Sequence, residues 1–223
     1  MSEPAQISRP WLPYVVPMIL FAAITMAEGE LGNYVAVYIA KVIIVTGALI
    51  YFRSVWKEIK FEAKWLVPSI VIGVALFAAW VGIEKNFGYP HMTFLGDRTA
   101  FNPLTEADNA GMRAAFFAFR FFGLVLMVPL MEEIFWRSFL LRFITKPEFQ
   151  TLKVGEFTNV ALLIGTAFFG LAHPEWLPAV IFALAISLWL RYTKSLFAAI
   201  IVHLVTNLAL GIYVVTQQDW IFW

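Results

Sequence analysis

The stretch PLMEEIFWRSFLLR, Pro129 to Arg142, sets Glu132, Glu133 and Arg137 inside a run that is otherwise apolar. An ionisable side chain at mid-bilayer costs about 2.5–3.5 kcal/mol on insertion scales, so such groups face a protein interior or a wet cavity. Glu133 and Arg137 stand at i,i+4, where a carboxylate N-terminal to a cation can pair along one helical face. Glu132 points about 100° away from that pair and has no neutraliser of its own, which is the setting of a carboxylate that takes up a proton as a general base. Two of the three histidines also lie in or beside apolar runs, His173 in FFGLAHPEW and His203 in IIVHLVTNLAL. Phe169 and His173 share a face at i,i+4, as do His203 and Asn207. Imidazole and carboxamide groups brought together can accept a proton or donate to a developing oxyanion. A single His or Asn in a membrane helix is ordinarily interhelical glue, and a Glu–Arg pair alone could merely lock helices. The joint occurrence of Glu132, Glu133, Arg137, His173, His203 and Asn207 is harder to attribute to separate acts of packing.

Helices in lipid must position these groups. The 223 residues are 61% hydrophobic and 14% charged, with a mean hydropathy of +0.77, against roughly 25% charged in ordinary globular domains. The expected fold class is all-α, a polytopic transmembrane bundle of about seven (six to eight) spans near 11–27, 31–52, 66–83, 114–141, 158–173, 176–190 and 195–216. The first run carries no cleavage signal and reads as an anchor. With the N-terminus inside, Arg9, Arg53, Lys57, Lys60, Lys64, Arg142, Lys146, Lys153, Arg191 and Lys194 fall in inside loops, against Lys85, Arg98 and Arg113 outside. Lys41 and Arg120 lie within spans and read as structural or snorkelling cations. Trp11, Trp56, Trp65 and Trp220 sit near segment ends and read as interfacial anchors. RSVWKEIKFEAKW, 53–65, has basic and apolar residues at roughly helical spacing and reads as an amphipathic connector held by anionic lipid. The hydrophilic stretch 84–113 reads as a connecting loop, with a substrate-contacting segment as the alternative. Pro129 removes one backbone donor and frees the carbonyl of Val125, so a kink and a local water site beside the glutamates are expected. The chain reads as one integral membrane domain, 1–223, with the chemistry in 114–215. A net charge of +1 argues against a nucleic-acid partner, and the absence of cysteine excludes disulfides and thiolate chemistry.

The three aspartates, Asp97, Asp108 and Asp219, lie in loops or at the C-terminus, so no intramembrane aspartate dyad can form. No GxSxG or HExxH stretch is present. A glutamate–histidine site that activates water remains, with or without a metal.

EEIFWR (132–137), FFGLAH ending in His173 and HLVTN (203–207) resemble, in order, the EExxxR, FxxxH and HxxxN motifs of the CAAX protease and bacteriocin-processing (CPBP/Abi) family of intramembrane glutamic endopeptidases. Within that family the chain most resembles the bacterial CAAX-prenyl-protease-related branch. The resemblance covers about 114–215. It implies that Glu132 activates water together with His173, that His203 and Asn207 form the oxyanion hole, and that Glu133 and Arg137 hold the glutamate helix in place. Phe169 matches the family's aromatic position. Ser138 departs from the pattern, since glycine often follows the motif arginine. Depth poses a difficulty: Glu132 lies about 15 Å from the inner boundary and His203 about 10–12 Å, while His173 falls near the outer end of its span. A helix break at Pro174, with a short or tilted span before it, would let the four side chains converge.

The expected activity is therefore hydrolysis of a membrane-associated peptide or protein, without a cofactor, by a multi-pass protein of a bacterial inner membrane with its N-terminus in the cytoplasm. Two rivals use the same residues: a zinc peptidase with His173, His203 and Glu132 as ligands, and a non-enzymatic immunity or scaffold protein whose polar residues only pack helices.

Overall fold

The computed structural model describes residues 9–91 and 100–222, and among them every regular element is helical. Seven longer helices follow one another: α1 (Leu12–Ala27), α2 (Tyr34–Tyr51), α3 (Ala63–Asn86), α4 (Ala110–Thr145), α5 (Asn159–Leu171), α6 (Trp176–Thr193) and α7 (Leu196–Gln217). They fall on the seven apolar runs of the sequence. Five of them, α2, α3, α4, α6 and α7, are long and apolar enough to cross a membrane. The remaining two are apolar but shorter, 16 residues in α1 and 13 in α5. At 1.5 Å per residue α5 measures only about 20 Å, less than a hydrocarbon core of about 30 Å.

Side-chain caps account for several helix starts. Asn33, Asn109, Thr158 and Ser195 each accept a hydrogen bond from the backbone N–H three residues on, satisfying one of the orphan donors of a first turn. Between α2 and α3 the amphipathic connector takes the form of a six-residue 3-10 turn, Arg53–Glu58, followed by extended residues, and not of a regular α-helix. Glu58 explains the departure: it turns inward to accept from Tyr14 Oη at 2.8 Å and to pair with Arg142 at 2.8 Å, which a continuous surface helix would not permit. Of the stretch 84–113, residues 92–99, with Asp97 and Arg98, lie outside the described residues. Its ends extend α3 to Asn86, form a single turn at Pro103–Glu106 and begin α4.

Two apolar clusters flank α4. Tyr14, Tyr38, Val42, Phe116, Met127 and Met131 join α1 and α2 to one side of it. Trp136, Phe169, Phe182, Ile186, Leu190 and Val202 join α5, α6 and α7 to the other. Lys41 is held inside by Glu28 at 2.6 Å and by Thr25, a structural use that matches its reading as a non-catalytic cation. Trp220 is buried at 9% exposure, so it packs at the C-terminus rather than anchoring at an interface; Trp11 and Trp56 are exposed.

Helices α3 and α7 pack at close range because Gly73 lacks a side chain. A Cβ there would stand 2.8 Å from the Val202 carbonyl oxygen and from Val205 Cβ, and Thr206 Oγ1 donates to the Gly73 carbonyl at 2.9 Å. Small residues commonly permit such approach between membrane helices. Gly73→Val is expected to force the pair apart and lower stability by about 1–3 kcal/mol, read as a lower melting temperature of the purified protein; an unchanged melt would show that the contact is not tight.

Candidate active site

Helix α4 is not a uniform α-helix. It contains two π-helical segments, Gly123–Met127 and Glu133–Leu140, with Val128 N–H reaching Gly123 O and Leu141 N–H reaching Trp136 O. Such bulges widen a helix and are frequent at functional sites. The first answers Pro129 differently from the sequence expectation. In this register the next donor after Val128 would be Pro129, which has no N–H, so the orphaned acceptor is the carbonyl of Leu124 rather than of Val125. Asn207 of α7 fills the gap, its Nδ2 donating to Leu124 O at 2.9 Å. One of the two Asn207 amide hydrogens is thus committed to backbone.

The second π-segment opens on the motif glutamates. Glu133 is completely buried and has two cationic or potentially cationic neighbours: Arg137 Nε lies 3.3 Å from Oε2, and His203 Nδ1 lies 2.8 Å from Oε1. A carboxylate there accepts, so Nδ1 of His203 donates and the ring presents Nε2 on its far edge. Sequence spacing indicated the Glu133–Arg137 pair but not the Glu133–His203 bond, because nothing in a linear pattern fixes which face of α7 meets α4. Arg137 is 1% exposed, and its guanidinium lies over the Phe169 ring at 4.5 Å and near Phe182 at 6.0 Å, so two aromatic faces supplement the single carboxylate.

Helix α5 runs antiparallel to α4. Gly165 faces Leu141 so closely that a Cβ would meet its Cδ2 at 2.6 Å, and one turn on Phe169 meets Trp136 at 5.5 Å between ring centroids as well as Arg137. α5 ends at Leu171 and α6 begins at Trp176, so the chain turns at Ala172–Glu175 around Pro174. The short helix and the break beside this proline are as the sequence indicated, and the antiparallel register, continued one turn past Phe169, runs toward the glutamates of α4. His173 stacks on Phe169 (4.4 Å, 21°), with Trp80 of α3 near its edge at 6.1 Å. Its Nδ1 is 2.7 Å from the Phe169 carbonyl, which can only accept; Nδ1 therefore carries a proton, and a neutral ring in this orientation offers Nε2 as an acceptor. Phe182 links the two histidines, lying 4.9 Å from His203 and 5.8 Å from Phe169.

Glu132, 7% exposed, stands apart from the pair below it. Its Oε2 is buried without a protein hydrogen-bond partner, as are Trp136 Nε1, Thr166 Oγ1 and all three guanidinium nitrogens of Arg137. Buried polar atoms are almost always satisfied by protein, water or ligand. These orphans are spread along facing stretches of α4 and α5, with Glu132 at one end of the row. Among the described residues no three His, Cys, Asp or Glu side chains are grouped as ligands for one ion. The turn next to His173 is also held from the segment that follows α3, Trp176 Nε1 donating to the Pro90 carbonyl at 2.8 Å, a contact invisible in the sequence.

Residues 114–209 match the family model described as Rce1-like, type II CAAX prenyl endopeptidase Rce1-like. Over that segment the chain is similar to the CAAX protease family. The match takes in the π-segments, the α5–α6 turn and most of α7, and so includes all seven residues selected from the sequence. No curated protein and no solved structure matches the chain. The family is one of proteases, and its segment here lies in helices of membrane-spanning length and composition.

Removing one partner of a buried ion pair leaves the other uncompensated, at about 3–5 kcal/mol. Arg137→Met is expected to lower the melting temperature sharply in detergent, and Glu133→Gln added to it to recover part of the loss. If the double variant melts no higher than Arg137→Met, Glu133 is not the charge that Arg137 neutralises.

Proposed function

We propose that this chain is a multi-pass intramembrane endopeptidase of the glutamate type, cleaving a membrane-associated peptide by direct attack of water. The observation that carries the reading is the unpartnered buried oxygen of Glu132, together with the Nδ1-bonded ring of His173, whose neutral form keeps Nε2 as an acceptor. Water bound between two acceptors, Glu132 Oε2 and His173 Nε2, donates one hydrogen to each and turns a lone pair toward the scissile carbonyl. As the oxygen–carbon bond forms, Glu132 takes the proton; as the tetrahedral intermediate collapses, that proton passes to the leaving amine nitrogen. The amide hydrogen that Asn207 does not spend on Leu124 points at the oxyanion. His203, with Nδ1–H fixed on Glu133, supplies the second donor through Nε2–H when the ring is doubly protonated. Preorganised donors of this kind contribute several kcal/mol to acyl transfer.

Glu133 and Arg137 act by position, holding α4 against α7 and α5. The single domain comprises all seven helices, with the short α1 and α5 packed among longer neighbours. The clustering of basic residues at one end supports an N-terminus on the cytoplasmic side of a bacterial inner membrane. The substrate class follows from the family's description: a membrane-tethered protein with a lipid-modified or merely membrane-associated C-terminal region. No metal enters any step.

Glu132→Gln and His173→Ala are expected to lower cleavage of a membrane-tethered peptide reporter by about 10²–10⁴-fold, with melting temperature and membrane insertion unchanged. Wild-type-like turnover in either variant would remove Glu132 and His173 from the mechanism.

A further inference from the structure

Four parts of the chain distant in sequence meet at the end of the bundle away from His173: the Arg53–Glu58 turn with the residues after it, the last turn of α4, the loop between α4 and α5, and the α6–α7 joint. Together they enclose a cleft of about 580 Å³, within the range typical of ligand sites. Its cations are Lys57, Lys60, Arg142, Lys153 and Lys194; its carboxylates are Glu58, Glu62 and Glu156.

The carboxylates are committed elsewhere. Glu58 takes both of its bonds from Arg142 at 2.8 and 3.0 Å, and further bonds from Tyr14 and Ser138, so it neutralises the floor of the cleft. Glu62 faces Lys64 at 3.5 Å, and Glu156 accepts the Lys153 backbone N–H at 2.9 Å. The ammonium groups of Lys57, Lys60 and Lys153 pair with no carboxylate among the described residues, and Lys194 Nζ donates to the neutral Gly155 carbonyl at 2.7 Å. Ser195 and Leu196 complete the wall, so the positive end of the 22-residue helix α7 adds to the same field. A concave site with several unbalanced cations over a neutral floor selects an anion.

Its surroundings indicate where that anion comes from. Phe61, between Lys60 and Glu62 of the cleft lining, is 71% exposed and packs at 5.1 Å on Phe197, the residue after Leu196. Tyr51 and Tyr192, at the same end of the bundle, are 81% and 72% exposed. Exposed aromatics beside lysines mark the headgroup level of a bilayer, so apolar side chains at the rim are placed for acyl chains and the cations behind them for a phosphate.

We propose that this cleft binds the phosphate-bearing headgroup of an anionic phospholipid, with Lys57, Lys60, Lys153 and the α7 N-terminus as its recognition elements. Binding here joins the 53–62 connector to the α7 N-terminus and to Arg142, about 15 Å along α4 from Glu132. The proposal needs insertion in a membrane but not the protease reading, so either can fail alone.

The test is a titration of the purified full-length protein in detergent with short-chain phosphatidylglycerol, phosphatidylcholine and inorganic phosphate, read by tryptophan fluorescence, with Trp56 beside Lys57 as the nearest reporter. Phosphatidylglycerol is expected to bind saturably and phosphatidylcholine, whose choline meets the same cations, weakly. The Lys57→Gln/Lys60→Gln/Lys153→Gln protein is expected to lose about tenfold or more in affinity. The equally charged control Arg9→Gln/Arg53→Gln/Lys146→Gln, altered at this end but outside the cleft, is expected to stay within about twofold of the parent on the same scale. All four substituted lysines, Arg9 and Arg53 are exposed, so folding is not at stake. Equal losses in the two variants, or no saturable binding, would overturn the proposal. Inorganic phosphate binding as tightly as the lipid, with the same lysine dependence, would overturn the lipid source in favour of a soluble phosphate ligand.

Discussion

Everything at this site depends on one carboxylate that is not the proposed base. Glu133, with no exposed surface, binds Arg137 of its own helix and His203 of α7. Its charge makes the burial of Arg137 tolerable, and Arg137 in turn lies on Phe169, the ring against which His173 stacks. Through this one group α4 is tied to α7 by a hydrogen bond and, by way of Arg137, to α5 by a cation–ring contact. In a medium that offers no water to a lone charge, losing it would release three helices at once.

The backbone of α4 is adapted to the same end. An ordinary α-helix carrying Pro129 would leave a carbonyl unpaired one turn upstream, a serious defect within a membrane. The π-register moves that defect to Leu124, within reach of Asn207, so the irregularity becomes a second tie between α4 and α7. Asn207 thus combines the interhelical bonding that is common for an asparagine in lipid with a spare hydrogen for chemistry. The structural and catalytic readings of this residue are compatible, because an amide has two N–H groups.

Much of this was legible in the sequence, for identifiable reasons. Apolar runs located all seven helices because solvation in lipid constrains composition so strongly, and the i,i+4 spacing announced the Glu133–Arg137 pair because both residues ride on one helix. The turn at Pro174 was readable since proline punctuates a chain locally. What was not legible depends on how helices face one another: the Glu133–His203 bond, the Asn207 contact, and the inward turn of Glu58 from the amphipathic connector. Hydropathy also ranked α1 and α5 with the longer helices, although 16 and 13 residues leave them short of a span. Trp220 failed as an interfacial anchor because position near a segment end does not reveal what packs over it.

The proposed mechanism requires one carboxylate with an open oxygen, Glu132, to meet one imidazole with an open nitrogen, His173. The measurement that tests this most directly is a structure in lipid at a resolution that resolves bound water. The account predicts an ordered water hydrogen-bonded to both Glu132 Oε2 and His173 Nε2. A dry contact there, or a Glu132 side chain satisfied by other protein groups and turned from His173, would contradict it.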